Sequence, residues 1–377
     1  MFIVRRDGNR EDVASTETGA EFTLDTAAEL AAEEGGRGIE GKSPWALAWR
    51  RMRRNWVGLA FLGLFILIVV ACICAPLYAE HVSGMGPNET NVGGKITVDG
   101  KTVDVVSSGG VTTGPNGEIQ VKAGGVPIGP QWWHAGGRYV LGADSLGRDI
   151  ATRILYGGAN SLKVGIGSAV ICAIFSIILA LIAGYYGGLP DWIITRFFDL
   201  IWAFPVILLG IALGTALAVN GFHHFGINLT GSSLWIPTVV ISYVYIPYLA
   251  RPLRGQILSL RQSEFIEAAI SQGASPFRIM FSELLPNIAS TVLVLFTLIV
   301  ANTILTEAAL SFLGAGVQAP NPSWGTLISA GENTIQSAPW LGIAPGIAIA
   351  ITVLSLNVFG DALRDALDPR AKVRIEH

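Results

Sequence analysis

From Trp56 onward the chain alternates between long apolar runs and shorter polar breaks, and this alternation is its dominant pattern. A helix that crosses a bilayer needs roughly 20 apolar residues. Six stretches meet that length: Trp56–Ala79, Leu162–Tyr185, Phe198–Val219, Leu234–Leu253, Ile288–Leu310 and Leu341–Phe359. The pattern therefore predicts an all-α integral membrane protein with six transmembrane helices. Glycine and proline inside several runs fit, because neighbouring helices in a bundle can supply the contacts these residues remove. Between the first two runs, around Gly93–Gly125, Val and Ile alternate with polar residues. Asp99-Gly100 and Asn116-Gly117 are hairpin turn pairs. A small β-rich insertion is expected there, with a Gly-rich linker as the alternative.

Composition agrees with the membrane assignment: 51% of the 377 residues are apolar and 14% charged, against about 25% charged in soluble domains. A net charge of -3 gives no reason to expect a nucleic-acid partner. The Lys and Arg residues then orient the chain. With the N-terminus inside, eighteen of the twenty-five fall on the cytoplasmic side, and Arg50, Arg51, Arg53 and Arg54 abut the first span. This asymmetry predicts both termini in the cytoplasm and the loop 81–138 outside, in a multi-pass protein of the cell membrane. Residues 1–44 read as a cytoplasmic, disordered tail with a short helix over Leu24–Glu34 and no secretion signal. Residues 45–80 hold the basic anchor and first span, 139–361 the five-helix core, and 362–377 a cytoplasmic tail.

Candidate chemistry is sparse. Cys72, Cys74 and Cys172 lie in apolar runs and read as buried small hydrophobes. His223 and His224 have no Cys, Asp or Glu nearby in sequence and read as part of an interfacial loop, so no metal site is expected. No Gly-rich phosphate loop ending in Lys-Ser/Thr occurs, so any ATP must be held by another subunit. Two carboxylates stand out: Asp199, three residues after Arg196, reads as one half of an ion pair, and Glu307 sits inside an apolar run. An acid in a membrane needs a partner or a wet interior, and Glu307 is open to three roles: structural partner, pathway lining or substrate contact. Trp324, in Asn321-Pro-Ser-Trp-Gly325, reads either as part of an outer gate or, with Trp132, Trp133 and Trp340, as a membrane anchor.

The polar break at 263–286 has a defined shape. Ser263 is placed to cap a helix running through Gln272, with Phe265, Ile266, Ala269 and Ile270 on one side. Gly273 ends that helix, and Ser275-Pro276 starts a second one leading to Pro286. Helix, tight turn and helix make either a docking knob for a partner or a plain hairpin joining two spans.

The same stretch resembles a known family. Glu267, Ala268, Ala269, Gly273, Leu285 and Pro286 match the EAA loop of ABC importer permeases; the position often held by Ile is Glu283 here. LGADSLGRDIATRILYGGANSL at 141–162, ILTEAALSFLG at 304–314, PNPSWGTLISAG at 320–331 and FGDALRDALDPR at 359–370 are similar to the second membrane subunit of oligopeptide, dipeptide and nickel importers. The resemblance covers about 45–80 and 139–370. It implies a type I ABC importer permease fold and a non-catalytic subunit. It also implies a homologous permease partner, two cytoplasmic ATP-binding subunits that use ATP and Mg, and an extracytoplasmic solute-binding protein. Glu267, Ala268, Ala269, Gly273 and Pro286 would then couple to the ATPases. Di- or oligopeptides are the cargo it implies first, nickel or a nickel chelate second. A secondary transporter and a membrane sensor are the rivals from other classes.

Overall fold

The computed structural model describes residues 44–113, 119–224 and 227–367. The expectations for the tail before residue 44, for the Asn116-Gly117 turn and for residues after 367 lie outside these. From Ala48 onward the chain forms one compact unit.

A basic helix α1 (Pro44–Arg54) is followed at Asn55 by α2 (Trp56–Ile73); the Asn55 side chain caps α2 by accepting the Gly58 amide at 3.0 Å. A short α3 (Ala75–Tyr78) ends the ascent. The insertion follows as two antiparallel hairpins, β1 (Lys95–Val98) with β2 (Lys101–Asp104), and β3 (Val106–Thr113) with β4 (Ile119–Pro127). Asp99 and Gly100 both take positive φ, 48° and 78°, as a two-residue hairpin turn requires. Met85, Ile96, Val105, Val106, Ile128, Tyr139 and Ala143 give this region its own small core.

The longest helix, α4 (Ile150–Tyr186), is the centre of the bundle. After it come α5 (Gly188–Trp202), α6 (Val206–Asn220), a hairpin of β5 (Phe222–His224) and β6 (Ile227–Leu229), and α7 (Trp235–Leu260). The polar break forms α8 (Glu264–Ser271) and a single turn α9 (Pro276–Arg278), which runs on through a widened segment, Ile279–Leu284, into α10 (Leu285–Phe312). The chain finishes with α11 (Trp324–Glu332) and α12 (Trp340–Leu367).

The expectation of six spanning helices is corrected. Among the described residues four helical stretches are long and apolar enough to cross a membrane: Trp56–Ile73, Ile150–Tyr186, Pro276–Phe312 and Trp340–Leu367. A fifth is reached only if α5 and α6 count as one broken span, since they meet at 88°. The run read as one helix over 198–219 is interrupted because Pro205 takes an extended ψ of 132° and so starts a new helix. The run read over 234–253 belongs to α7, whose prolines 237, 247 and 252 and whose Arg251 and Arg254 dilute its apolar character.

Helix directions follow from paired contacts. Ser168 donates to the Thr238 carbonyl at 2.9 Å and Ser176 to the Ile246 carbonyl at 3.0 Å, so α4 and α7 run parallel. Thr303 donates to the Gly165 carbonyl at 2.8 Å and Glu307, one turn on, faces Ser161, one turn back, so α10 runs antiparallel to α4. Small residues set the spacing: a Cβ on Gly184 would lie 2.6 Å from Ile257 Cγ2, and one on Gly58 would overlap Ala362. In lipid, where apolar burial gives helices little preference for each other, such close packing and interhelical hydrogen bonds do the holding. The junction of α1 and α2, the end of α12 and the first turns of α10 share one end of the bundle: Met52, Ala362 and Ala366 form one cluster, and Ser290 and Thr291 line a cavity with Arg364 and Leu367.

Candidate coupling surface and buried carboxylate cluster

Ser263 occupies the cap position of α8, but its hydroxyl donates to the Leu260 carbonyl instead of accepting an amide of α8. The expected apolar side of the helix is narrower than the spacing suggests. Ile266 is fully buried among Leu253, Ile257, Ile279, Leu284 and Ile288, and Ala269 packs against that cluster, whereas Phe265 and Ile270 face outward, Ile270 54% exposed. Glu267 and Ala268 are also exposed. The helix stops as its sequence dictates. Gly273 takes φ +78°, its amide donates to the Ile270 carbonyl at 2.9 Å, and the Ala274 amide reaches back to Ala269 at 3.1 Å. That paired closure requires a left-handed residue, which is the natural place for glycine. Ser275 then caps the next turn, accepting the Arg278 amide at 3.3 Å, with Pro276 in the first helical position.

The widened segment has a cause in Pro286. Its missing amide would orphan a carbonyl in a regular helix, and the ring would strike the turn before it. Over Ile279–Leu284 the bonds lengthen by one residue, the Leu285 amide donating to Met280, and the helix passes Pro286 without ending. Pro286 itself is exposed, and Glu283 is half-buried with its carbonyl accepting from Asn287 at 2.6 Å. Phe277, 67% exposed, stacks on Phe281 with ring centroids 4.4 Å apart. Phe265, Ile270, Phe277 and Phe281 thus add exposed apolar surface to a foot that is anchored from beneath by Ile266.

Asp199 is bound by two arginines. Arg196 donates at 3.1 Å and Arg251, on α7, at 2.7 Å, while Arg251 also lies over the Trp202 ring at 3.9 Å. Two turns earlier on α5, Asp191 accepts two N–H groups from one edge of the Arg254 guanidinium, Nη2 at 2.6 Å and Nε closer still. Sequence reasoning did not single out Arg251, Arg254 or Asp191 as partners, because their pairings join distant parts of the chain, 63 residues apart for Asp191 and Arg254. The available signal was that the apolar run of α7 carries arginines near its end.

Glu307 is fully buried on α10. Ser311 donates to its Oε1 at 2.6 Å, and the same Ser311 oxygen accepts the Val317 amide at 2.9 Å. Oε2 has no hydrogen-bond partner at bonding distance, with the Ser161 and Ser323 hydroxyls facing the carboxylate from α4 and from the cap of α11. Ser161 accepts the Trp324 amide at 3.1 Å and Ser323 the Thr326 amide at 3.2 Å, so both hydroxyl protons are left to point toward the acid. Trp324 corrects the anchor reading. It is 1% exposed, its indole N–H donates to the Ile154 carbonyl at 3.0 Å, and a Cβ on Gly158 would run into its ring. Trp132 and Trp133, by contrast, are exposed. Asp199 and Glu307 are not brought together: one belongs to the α5–α7 ion-pair group, the other to the α4–α10–α11 serine cluster.

At the N-terminal end of α4, Asp149 caps the helix, its Oδ2 accepting from the Thr152 amide at 2.8 Å and hydroxyl at 2.6 Å. Burial pushes its carboxyl above the usual range, against the pull of the Thr152 hydroxyl and amide.

Comparison with known proteins decides the class. Residues 176–373 match the family described as binding-protein-dependent transport system inner membrane component, and residues 43–92 match the N-terminal TM domain of oligopeptide transport permease C. The chain belongs to this family of ABC importer permeases. A dipeptide transport system permease protein, DppC, of Alkalihalophilus pseudofirmus is 37% identical, over 88% of this chain and 91% of its own. A glutathione transport system permease protein, GsiD, of Pectobacterium atrosepticum is 35% identical, over 88% and 93%. A solved inward-facing MetNI methionine ABC transporter overlays 57% of this chain and 96% of its own, at 17% identity and a TM-score of 0.46. This permease is therefore a multi-pass membrane subunit for transport, not an enzyme. Importers of its family combine permease, ATPase and solute-binding components, with ATP and Mg handled by the ATPase.

Proposed function

We propose that this permease forms one half of an ATP-driven import pathway for di- or oligopeptides, together with a homologous permease, two ATP-binding subunits and an extracytoplasmic solute-binding protein. Both relatives above carry peptide cargo in their names, dipeptide and glutathione. The foot 263–286 is the coupling element, with Glu267, Ala268, Ala269, Gly273 and Pro286 giving it its contact face and its turn. The observation that carries this reading is the combination of an outward apolar and acidic face with a buried Ile266 anchor and a rigid glycine closure. A face of this kind, standing on a continuous helix into the bundle, can move the bundle when a partner pulls it.

Both termini and the foot lie on the cytoplasmic side in this proposal. Support comes from the junction of α1 and α2, the end of α12 and the first turns of α10 sharing one bundle end, which also carries Arg50, Arg51, Arg53 and Arg54. Asp199 and Glu307 act as structural ties: Asp199 between α5 and α7, Glu307 between α10, α4 and α11. Trp324 locks the start of α11 into the bundle beside Glu307. ATP binding must favour one arrangement of the bundle over another for this to drive transport.

The test is import by the assembled complex in vesicles. Peptide uptake that requires ATP and the ATPase subunits is the expected result. Peptide uptake driven by an ion gradient, with no ATPase present, would contradict it.

A further inference from the structure

At the bundle end opposite the foot, Asn88, Arg148, Arg153, Ala319, Pro320, Asn321 and Thr326 line a cavity of about 420 Å³. Arg153 is only 6% exposed, on the first turn of α4, yet much of its guanidinium is unused. Its Nη1 donates to the Pro87 carbonyl at 2.7 Å and to Asn88 Oδ1 at 3.3 Å, while Nε makes no hydrogen bond among the described residues. Arg148 engages Asp144 through its Nε at 2.7 Å.

Asp144 is in contact with both arginines: its Oδ2 also lies 3.9 Å from Arg153 Nε. Its Oδ1 is already occupied by the Leu146 amide at 2.9 Å and the Arg148 amide at 3.0 Å. Two guanidinium groups against one carboxylate leave a single positive charge. The other polar walls are engaged elsewhere: Asn321 donates to the Ser232 carbonyl, and Thr326 closes the cap with Ser323. A buried cation whose N–H groups lack acceptors is costly unless an anion completes the site.

We propose that this cavity binds the carboxylate of a small solute, the terminal carboxylate of a peptide on its way into the pathway. A monoanion matches the net charge, and the paired N–H edges of arginine match a carboxylate's two oxygens. The identity of the solute rests on the peptide-import reading; the anion site itself does not.

Phenylglyoxal, which modifies guanidinium groups, tests it on the assembled importer in nanodiscs, with modification of Arg148 followed by peptide mass mapping. Diglycine slows modification severalfold, acetate slows it less, and glycylglycinamide, which lacks the carboxylate, does not slow it. Arg153→Met abolishes the protection; because Arg153 also holds Pro87 and Asn88, Arg153→Lys serves as the second variant, keeping charge and fold but losing most of the protection. In transport, Arg148→Gln raises the KM for diglycine severalfold with little change in kcat. Equal protection by the amide, protection by inorganic phosphate alone, or none at all would overturn the site. Those results with ATP-dependent uptake intact would sink the site and leave the transport reading standing. Carboxylate protection in a complex that imports no peptide would do the reverse.

Discussion

Across Gly273 the amide of Ala274 donates to the carbonyl of Ala269 at 3.1 Å, closing the end of α8 with a residue at φ +78°. A Cβ at Gly273 would meet nothing within 4 Å, so the position tolerates volume and resists only the conformation. Left-handed backbone costs an L-residue about 1–2 kcal/mol, and a β-branched one more. Gly273→Val is therefore expected to deform the foot without affecting membrane insertion. Gly273→Asn, which accepts this conformation more easily, is expected to retain most function. Peptide-stimulated ATP hydrolysis by the assembled complex distinguishes them: strongly reduced in the Val variant, near normal in the Asn variant.

Ile266 anchors the foot from beneath. Truncating a buried Ile to Ala costs about 2–5 kcal/mol where the surroundings cannot collapse. Ile266→Ala is expected to loosen α8 while leaving its outer face chemically unchanged. Hydrogen exchange at the amides of 264–274 should speed up markedly, with the amides of α10 beyond Ile288 little altered.

Asp191 and Arg254 join α5 to the end of α7 through two hydrogen bonds, both side chains less than a third exposed. Contacting charged pairs of this kind couple by about 0.5–3 kcal/mol in double-mutant cycles. Asp191→Ala and Arg254→Ala should each lower thermal stability, and the double variant should lose less than the sum. Additive losses would mean the pair does not hold these helices together.

Glu307 is the acceptor for Ser311 and faces two more hydroxyls. Glu307→Gln keeps an oxygen for Ser311 and is expected to fold close to normally. Glu307→Leu leaves buried hydroxyl protons without an acceptor, a cost of about 1–3 kcal/mol for each unsatisfied group. Thermal unfolding of the purified chain in detergent should show the Leu variant clearly destabilised relative to the Gln variant.

Asp149 makes stability depend on pH with a defined sign. Its folded-state carboxyl is raised above its unfolded value by burial, so its favourable contribution is full below the unfolded value and is lost as pH rises through the folded one. Asp149→Asn keeps a cap oxygen for Thr152 and has no charge to bury. As pH rises above the ordinary carboxylate value of about 4, wild-type stability should fall relative to the variant, and thermal unfolding of the two over a pH series checks it.

The parts of this fold written in neighbouring residues are legible in the sequence. Gly273, Ser275-Pro276 and Asp99-Gly100 specify their turns through short-range sterics, and each turn forms where those residues stand. The number of spans is not legible, because Phe204 and Pro205 sit in a continuous apolar run and only backbone geometry divides it into α5 and α6. Contacts between distant elements are equally hidden. Nothing local to Asp191 points to Arg254, and nothing around Glu307 announces Ser161 and Ser323. Trp324 misleads for a related reason: a tryptophan near the end of an apolar run suits an interface belt, but the glycine at 158 opens a slot that takes it inside.

The most direct test of the coupling account is Ala268→Cys, at an exposed position of α8, in a chain whose native cysteines have been replaced. In the intact assembly, a short bifunctional reagent should join the introduced thiol to an ATP-binding subunit, and the yield should change when ATP is bound. Labelling of that thiol by a membrane-impermeant maleimide from the outside, or failure to join any ATP-binding subunit in an active complex, would contradict the account.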